Sequence, residues 1–276
     1  MFDLSSWELK GKALGALQDY ARHPVVFLVD GPIGTIDVEK ADAGSGTLVR
    51  TPRGRTVVLT AKHNFEGIPP TGMSIGGETP NGVSNALGAR WEHPSAHVDL
   101  AVTMISAEAE QAFGSFAVPT EVVAATTDTD FSKQNPMILC GYPAMYRRTI
   151  IQSKTTALHE FACVSYATIV APELDAKGRY AARWKEGAFT SADPVFPAIP
   201  AGESFEIVHP RGISGGPLWR FRTVGEGNLW SPSKMGQIVA VATTFNPAPD
   251  HLELCTSVAV WGDWFRETIA RIDAQR

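Results

Sequence analysis

Chemistry in this chain centres on one serine. Pro210-Arg211-Gly212-Ile213-Ser214-Gly215-Gly216-Pro217-Leu218 sets Ser214 among glycines, after an extended apolar segment (204–208) and before Leu218 and Trp219. Glycines on both sides let the backbone turn tightly and bring its N–H groups close to a ligand. A nucleophilic serine needs that setting: an exposed hydroxyl, with main-chain donors aimed at the oxygen that becomes negative during attack. It also needs a base, and the base needs an orienting carboxylate.

Both residue types lie upstream. Val57-Val58-Leu59-Thr60-Ala61-Lys62-His63-Asn64 places a histidine just past an apolar, β-branched run. In Trp91-Glu92-His93-Pro94-Ser95-Ala96-His97-Val98-Asp99-Leu100-Ala101-Val102, an aspartate opens a second such run. An acid directly before Leu-Ala-Val is drawn toward the interior, where a carboxylate is costly unless paired. A histidine partner would satisfy Asp99. His93 and His97, four apart in a Pro-Ser loop with no helix to align them, read as surface residues rather than metal ligands. His159 and Cys163 are read the same way, so no metal is expected.

These three segments, in this order, resemble the chymotrypsin-like (trypsin-fold) serine peptidases. Leu59–His63 is similar to that family's histidine box, and His93-Pro94 with Asp99-Leu100-Ala101-Val102 to its His-Pro … Asp-Ile-Ala-Leu segment. Gly212–Leu218 is similar to its Gly-Asp-Ser-Gly-Gly-Pro-Leu. Gly141-Tyr142-Pro143 resembles the glutamyl-endopeptidase branch, and Thr256–Phe265 the strand and closing helix that end the family's fold. The resemblance is to a bacterial, intracellular type of member and covers most of residues 25–272. It implies two antiparallel β-barrels with the site between them, Ser214 as nucleophile, His63 as general base and Asp99 as its orienting acid. It also implies an oxyanion hole from the Gly212 and Ser214 N–H groups, and hydrolysis of peptide bonds through an acyl-enzyme without a cofactor.

Departures from the pattern carry their own expectations. Ile213 stands where trypsin-like zymogens have the aspartate that pairs with a freed N-terminus, and no Arg-Ile-Val-Gly-Gly-like activation site precedes His63. The enzyme is therefore expected to be either competent as made or controlled by an activating protein partner or a loop. Asn64 stands where animal enzymes have a disulfide cysteine. Val208, six residues before Ser214, matches the floor of the specificity pocket and favours a small or apolar substrate side chain. His209 and Arg211 would attract an acidic one. Two alternatives keep the fold: a catalytically silent relative that binds peptides, and an effector protease with the same chemistry that stays latent until a partner protein engages it. An esterase is disfavoured because the strand–Gly-x-Ser-x-Gly–helix context is missing.

The elements that must position these residues are short and β-rich. Expected strands are Val25–Val29, Thr47–Val49, Thr56–Thr60, Leu100–Ile105, Met137–Leu139, Cys163–Val170, Phe205–Val208 and Gln237–Thr244. Substrate backbone is expected to pair along Ile238–Thr243. Asp175-Ala176-Lys177-Gly178 reads as a hairpin turn between 164–174 and 179–185. Pro and Gly clusters at 66–82 and 187–202 read as surface loops. A helix over 5–22, capped by Ser5 with Glu8 and stapled by Leu4 and Leu9, presents Leu14, Leu17 and Ala21 on one face. A second helix over 260–274 aligns Trp261, Trp264, Phe265, Ile269 and Ile272. The division expected is 1–24 as a helical extension, 25–125 as the first barrel, and 126–276 as the second with its helix.

Composition excludes other classes. The chain has 276 residues, 44% hydrophobic and 19% charged, enough to bury a substantial core. A net charge of -5 with no basic stripe argues against nucleic acid. No apolar stretch approaches the roughly 20 residues of a membrane span. Its start lacks the basic-then-apolar pattern of a secretory signal. Three scattered cysteines (Cys140, Cys163, Cys255) fit buried thiols in a reduced cytoplasm.

Overall fold

The computed structural model describes residues 16–31, 43–67, 69–77, 82–124, 137–143, 147–151, 157–161, 163–168, 174–183, 189–190, 212–221, 236–246 and 252–275. The fold is mostly β: two seven-stranded, largely antiparallel sheets with a helix at each end of the chain. The first sheet runs β4-β1-β2-β3-β6-β5, built from β1 (Val25–Asp30), β2 (Ala43–Arg50), β3 (Thr56–Thr60), β4 (Met73–Gly76), β5 (Leu87–Glu92) and β6 (Ala101–Ile105). A short β7 (Val118–Pro119) joins β2 in parallel. Ile75 bridges Val83, so the path curls back toward its own start.

Alternation explains why β1 and β3 are buried on both faces. Successive side chains point to opposite faces, and here each face meets a different core. Val26, Leu28, Leu48, Val58 and Ala101 fill the interior of the first sheet, beneath Phe113 of a short helix, α2 (Ala107–Phe113). Val25, Phe27, Val49, Val57, Leu59 and Val102 face outward into a larger core shared with the second sheet. The same pattern makes β4 a buried strand rather than the expected surface loop. All of Met73–Gly76 is buried, and a Cβ on Gly76 would fall 2.1 Å from the Phe27 ring. The Pro and Gly around it mark turns, not an excursion into solvent.

The second sheet runs β12-β16-β15-β14-β8-β11-β13. Its strands are β8 (Met137–Gly141), β11 (Val164–Thr168), β12 (Arg179–Arg183), β13 (Phe189–Thr190), β14 (Pro217–Phe221), β15 (Gly236–Asn246) and β16 (Leu252–Ser257). A two-stranded ribbon, β9 (Arg147–Ile151) with β10 (Ala157–Phe161), stands apart. The turn at Asp175–Gly178 forms, closed by Gly178 N–H on Asp175 O at 2.9 Å. It does not join β11 to β12 as a hairpin. Strand β12 instead pairs with β16, with Tyr180 opposite Cys255 and both buried in the core. Met137–Leu139, Cys163–Val170 and Gln237–Thr244 correspond to β8, β11 and β15; Phe205–Val208 and most of 187–202 lie outside the described residues.

Both terminal helices pack on this body. Residues 16–22 form the described part of helix α1, with Leu17 and Ala21 fully buried and Tyr20 edge-on to Trp219 of β14 at 5.7 Å. The predicted Ser5–Glu8 cap, Leu4–Leu9 staple and Leu14 lie outside the described residues. The closing helix, α3 (Val258–Ala274), is capped by the Ser257 hydroxyl, which accepts from Ala259 N at 3.2 Å. It buries Trp261, Phe265, Ile269 and Ile272. Its far end is tied to the β2–β3 turn of the first sheet. Thr51 Oγ1 and Arg53 N donate to the Asp273 carboxylate at 2.5 and 3.1 Å, and Arg53 and Arg55 donate to the Asp273 and Ile272 carbonyls. Cations at a helix C-terminus answer its negative dipole end. No described helix is long and apolar enough to cross a membrane.

Candidate active site

The register of the first sheet brings His63 and Asp99 together. Strands β3 and β6 are antiparallel neighbours, with Thr60 opposite Ala101. Three residues past Thr60 and two before Ala101 therefore meet at the same sheet end. A 3-10 turn over Lys62–Phe65 sets the His63 ring at that end. Asp99 grips the histidine twice: Oδ2 lies 2.6 Å from Nδ1, and Oδ1 accepts from the His63 backbone N–H at 2.9 Å. Burial alone would raise the Asp99 pKa. The hydrogen bond and charge of His63, with amide donation from His63 and Lys62, outweigh it and hold the carboxyl below its ordinary value. Burial would lower the histidine's pKa, but the Asp99 hydrogen bond and charge, helped by Glu66, raise it. Nδ1 faces an ionised carboxylate and so carries the proton, which leaves Nε2 as the basic nitrogen.

The serine loop is formed where backbone must approach backbone. Gly212 and Gly215 have φ of +99° and +94°, a region that L side chains rarely enter. A Cβ on Gly215 would lie 1.9 Å from Ser45 O, and one on Gly216 would lie 1.9 Å from Cys140 O. Ile213 is fully buried beside Gly141. Gly215 N–H donates to Ala242 O (2.7 Å), Gly216 N–H to Ile213 O and Ala242 N–H to Gly216 O (both 2.8 Å), which locks the loop to β15. Ser214 itself is partly exposed.

The loop is also fastened to the first sheet. Ser214 O accepts from Ser45 N (2.8 Å) and from Asn64 Nδ2 (3.0 Å), so the serine's carbonyl is bonded to the neighbour of His63. Asn64 Nδ2 also donates to Thr60 Oγ1 at 2.9 Å. Its amide occupies the space beside Gly44, where a Cβ would meet it at 2.3 Å. Among the described residues, no hydrogen bond joins Ser214 Oγ to the His63 ring, and the Gly212 and Ser214 N–H groups have no acceptor. Catalytic hydrogen bonds commonly tighten only when substrate is bound.

Of the residues expected from sequence, His63 and Asp99 are directly bonded, and Ser214 and Gly212 lie in the loop fastened beside them. Val208, His209 and Arg211 lie outside the described residues. Ile238–Val241 is bonded to β14 on one side, and β16 joins from Ala240 onward. The exposed part of β15 begins later, at Thr244. Sequence reading missed Ser45. The available signal was Gly44-Ser45-Gly46, since glycines inside a strand mark close approach of another backbone. All three cysteines are buried, and none is in a disulfide. No described group of three or more His, Cys, Asp or Glu could hold a metal ion.

No protein-family model matches the chain, and no curated protein matches it. Solved structures do. A serine endoprotease from Yersinia pestis aligns over 93% of this chain, at 13% identity and a TM-score of 0.51. The chain spans 66% of that protein. A scabies mite inactivated protease paralogue aligns over 91% of this chain and 96% of its own length, at 14% identity and a TM-score of 0.50. At such identities the likeness concerns the fold alone: the chain has the fold of the chymotrypsin-like serine proteases.

Proposed function

We propose that the chain is a serine endopeptidase in which Ser214, His63 and Asp99 act as nucleophile, base and orienting acid. The observation that carries this reading is the 2.6 Å contact between Asp99 Oδ2 and His63 Nδ1, with the Ser214 backbone fastened to Asn64 alongside. Asp99 fixes the ring with Nε2 free to take the Ser214 hydroxyl proton as Oγ attacks the scissile carbonyl. The carbonyl oxygen becomes negative and is received by the N–H groups of Gly212 and Ser214. The imidazolium, stabilised by Asp99, returns its proton to the leaving amine. Water then attacks the acyl-enzyme with His63 again as base. This chemistry uses no cofactor.

Specificity follows from the segment before the loop. By the resemblance, Val208 would meet the substrate side chain and favour a small or apolar one, whereas His209 and Arg211 would favour an acidic one. Substrate backbone pairs with the exposed end of β15, at Thr244–Asn246, rather than along Ile238–Thr243. Three buried cysteines outside any disulfide fit action in the cytoplasm.

Digestion of a mixed peptide library by wild type and Ser214→Ala tests the proposal, with products read by mass spectrometry. The expected result is internal cleavage at a consistent residue type, at least about 10³-fold weaker in Ser214→Ala. No cleavage above the Ser214→Ala background would contradict it and favour a peptide-binding relative without catalysis.

A further inference from the structure

Position 213 is a buried isoleucine, so no charge at 213 can brace the loop that carries the nucleophile. Bracing is nonetheless present: Asn64 Nδ2 holds Ser214 O at 3.0 Å, and Ser45 of β2 bonds two of the loop's carbonyls. Ser45, fully buried on β2, donates twice: its N–H to Ser214 O at 2.8 Å, and its Oγ to Gly212 O at 2.6 Å. The direction of the second bond is fixed. Tyr142 N–H donates to Ser45 Oγ at 2.8 Å, which occupies an oxygen lone pair. The single hydroxyl proton therefore goes to Gly212 O. Ser45 O accepts in turn from Thr60 Oγ1 at 2.6 Å, so the residue is held from both sides.

The consequence concerns which backbone groups remain for a ligand. The carbonyls of Gly212, Ile213, Ser214 and Gly216 each accept a hydrogen bond and are turned inward. The Gly212 and Ser214 N–H groups have no acceptor among the described residues. The 212–213 peptide joins the two peptides that carry the Gly212 and Ser214 N–H groups, and its rotation would turn both and take Gly212 O away from the Ser45 hydroxyl. At a site closed to water, that hydroxyl would be left without an acceptor.

We propose that Ser45 is a positioning residue whose hydroxyl holds the Gly212–Ser214 backbone ready to receive an oxyanion, so that the chain is competent as made, without a freed N-terminus or an activating partner. This rests on the catalytic reading of Ser214. The test is the burst of p-nitrophenolate released when purified full-length wild type, Ser45→Ala, Ser74→Ala and Ser214→Ala meet p-nitrophenyl acetate between pH 5 and 9. Ser74 is the matched control: a buried serine on β4 whose hydroxyl donates to Gly31 O at 2.5 Å. Intact mass and thermal unfolding are recorded for each variant.

Wild type should give an acetyl adduct on the unprocessed chain. Ser45→Ala should acylate on the order of 10²-fold more slowly, the lower range for loss of an oxyanion donor. Its pH midpoint should be unchanged, because the His63–Asp99 contact is intact. Ser74→Ala should stay within about twofold of wild type, since its hydroxyl does not touch the loop. A folded Ser45→Ala that acylates at the wild-type rate, or an equal loss in Ser74→Ala, overturns the role of Ser45 while the catalytic reading stands. An adduct that forms only on a shortened chain overturns competence as made. A wild type that forms no adduct at Ser214 overturns both.

Discussion

A carboxylate bonded to an imidazole nitrogen has two effects that can be measured separately. It selects the tautomer that leaves Nε2 basic, and it keeps the ring protonated to higher pH than a free imidazole. Catalysis needs the neutral ring, so activity should rise with pH and reach half its plateau above the ordinary histidine value of about 6.5. Replacing Asp99 by Asn removes the charge and inverts the tautomer. The expected outcome for Asp99→Asn is a plateau lower by about 10⁴-fold and a midpoint displaced downward, measured as kcat/KM against pH on a cleaved peptide. A midpoint that stays put would mean that Asp99 does not set the ionisation of His63. Both residues were legible because each breaks an apolar run at its end, where a polar residue needs a reason. The partners of Ser45 were not. Its hydroxyl meets residues 97 and 167 positions away, and only the packing of the two sheets brings them within reach.

At the scale of elements, the serine loop succeeds by having no side chains where it touches its neighbours. Gly215 combines a positive φ with a Cβ position 1.9 Å from Ser45 O and 2.3 Å from Thr60 Oγ1. Gly215→Ala must either strain the loop or push β2 away. A destabilisation of about 3 kcal/mol or more is expected, summing the left-handed penalty and the overpacking. Urea unfolding with and without the substitution measures it. A loss under about 1 kcal/mol would show that the close approach is not there. The glycines of this loop were readable from the sequence, but what they approach was not. Strand β4 shows the opposite error: Met73-Ser74-Ile75 is flanked by so many Pro and Gly residues that the turn signal outweighs four buried positions.

A large core shared by the two sheets lies beside a smaller one inside the first, and among the described residues hydrogen bonds clamp the two sheets together. One clamp is the Ser45–Asn64 contact to the serine loop. Another lies at the end of α3, where Asp273 receives Thr51 Oγ1 and Arg53 N. A helix that follows the last strand of the second sheet is thereby anchored on the first. Asp273→Ala should cost about 2 kcal/mol, the scale of hydrogen bonds to a charged group. That lowers Tm by roughly 3–4 °C for a chain of this size, while kcat/KM below the transition stays unchanged. A fall in kcat/KM with Tm intact would place the helix end in the catalytic machinery instead. The fold class was legible because three motifs in order, many short β-branched runs and a closing amphipathic helix agree with one another. The pairing of β12 with β16 was not, since strand order in a sheet depends on contacts between distant segments.

The most direct measurement is covalent labelling of the purified chain by a fluorophosphonate, with the modified peptide located by mass spectrometry in wild type, His63→Ala and Ser214→Ala. The account predicts one phosphonyl group on Ser214 of wild type, none in Ser214→Ala, and labelling slower by at least about 10³-fold in His63→Ala. Label on another residue, equal labelling of all three proteins, or an unlabelled wild type would contradict it.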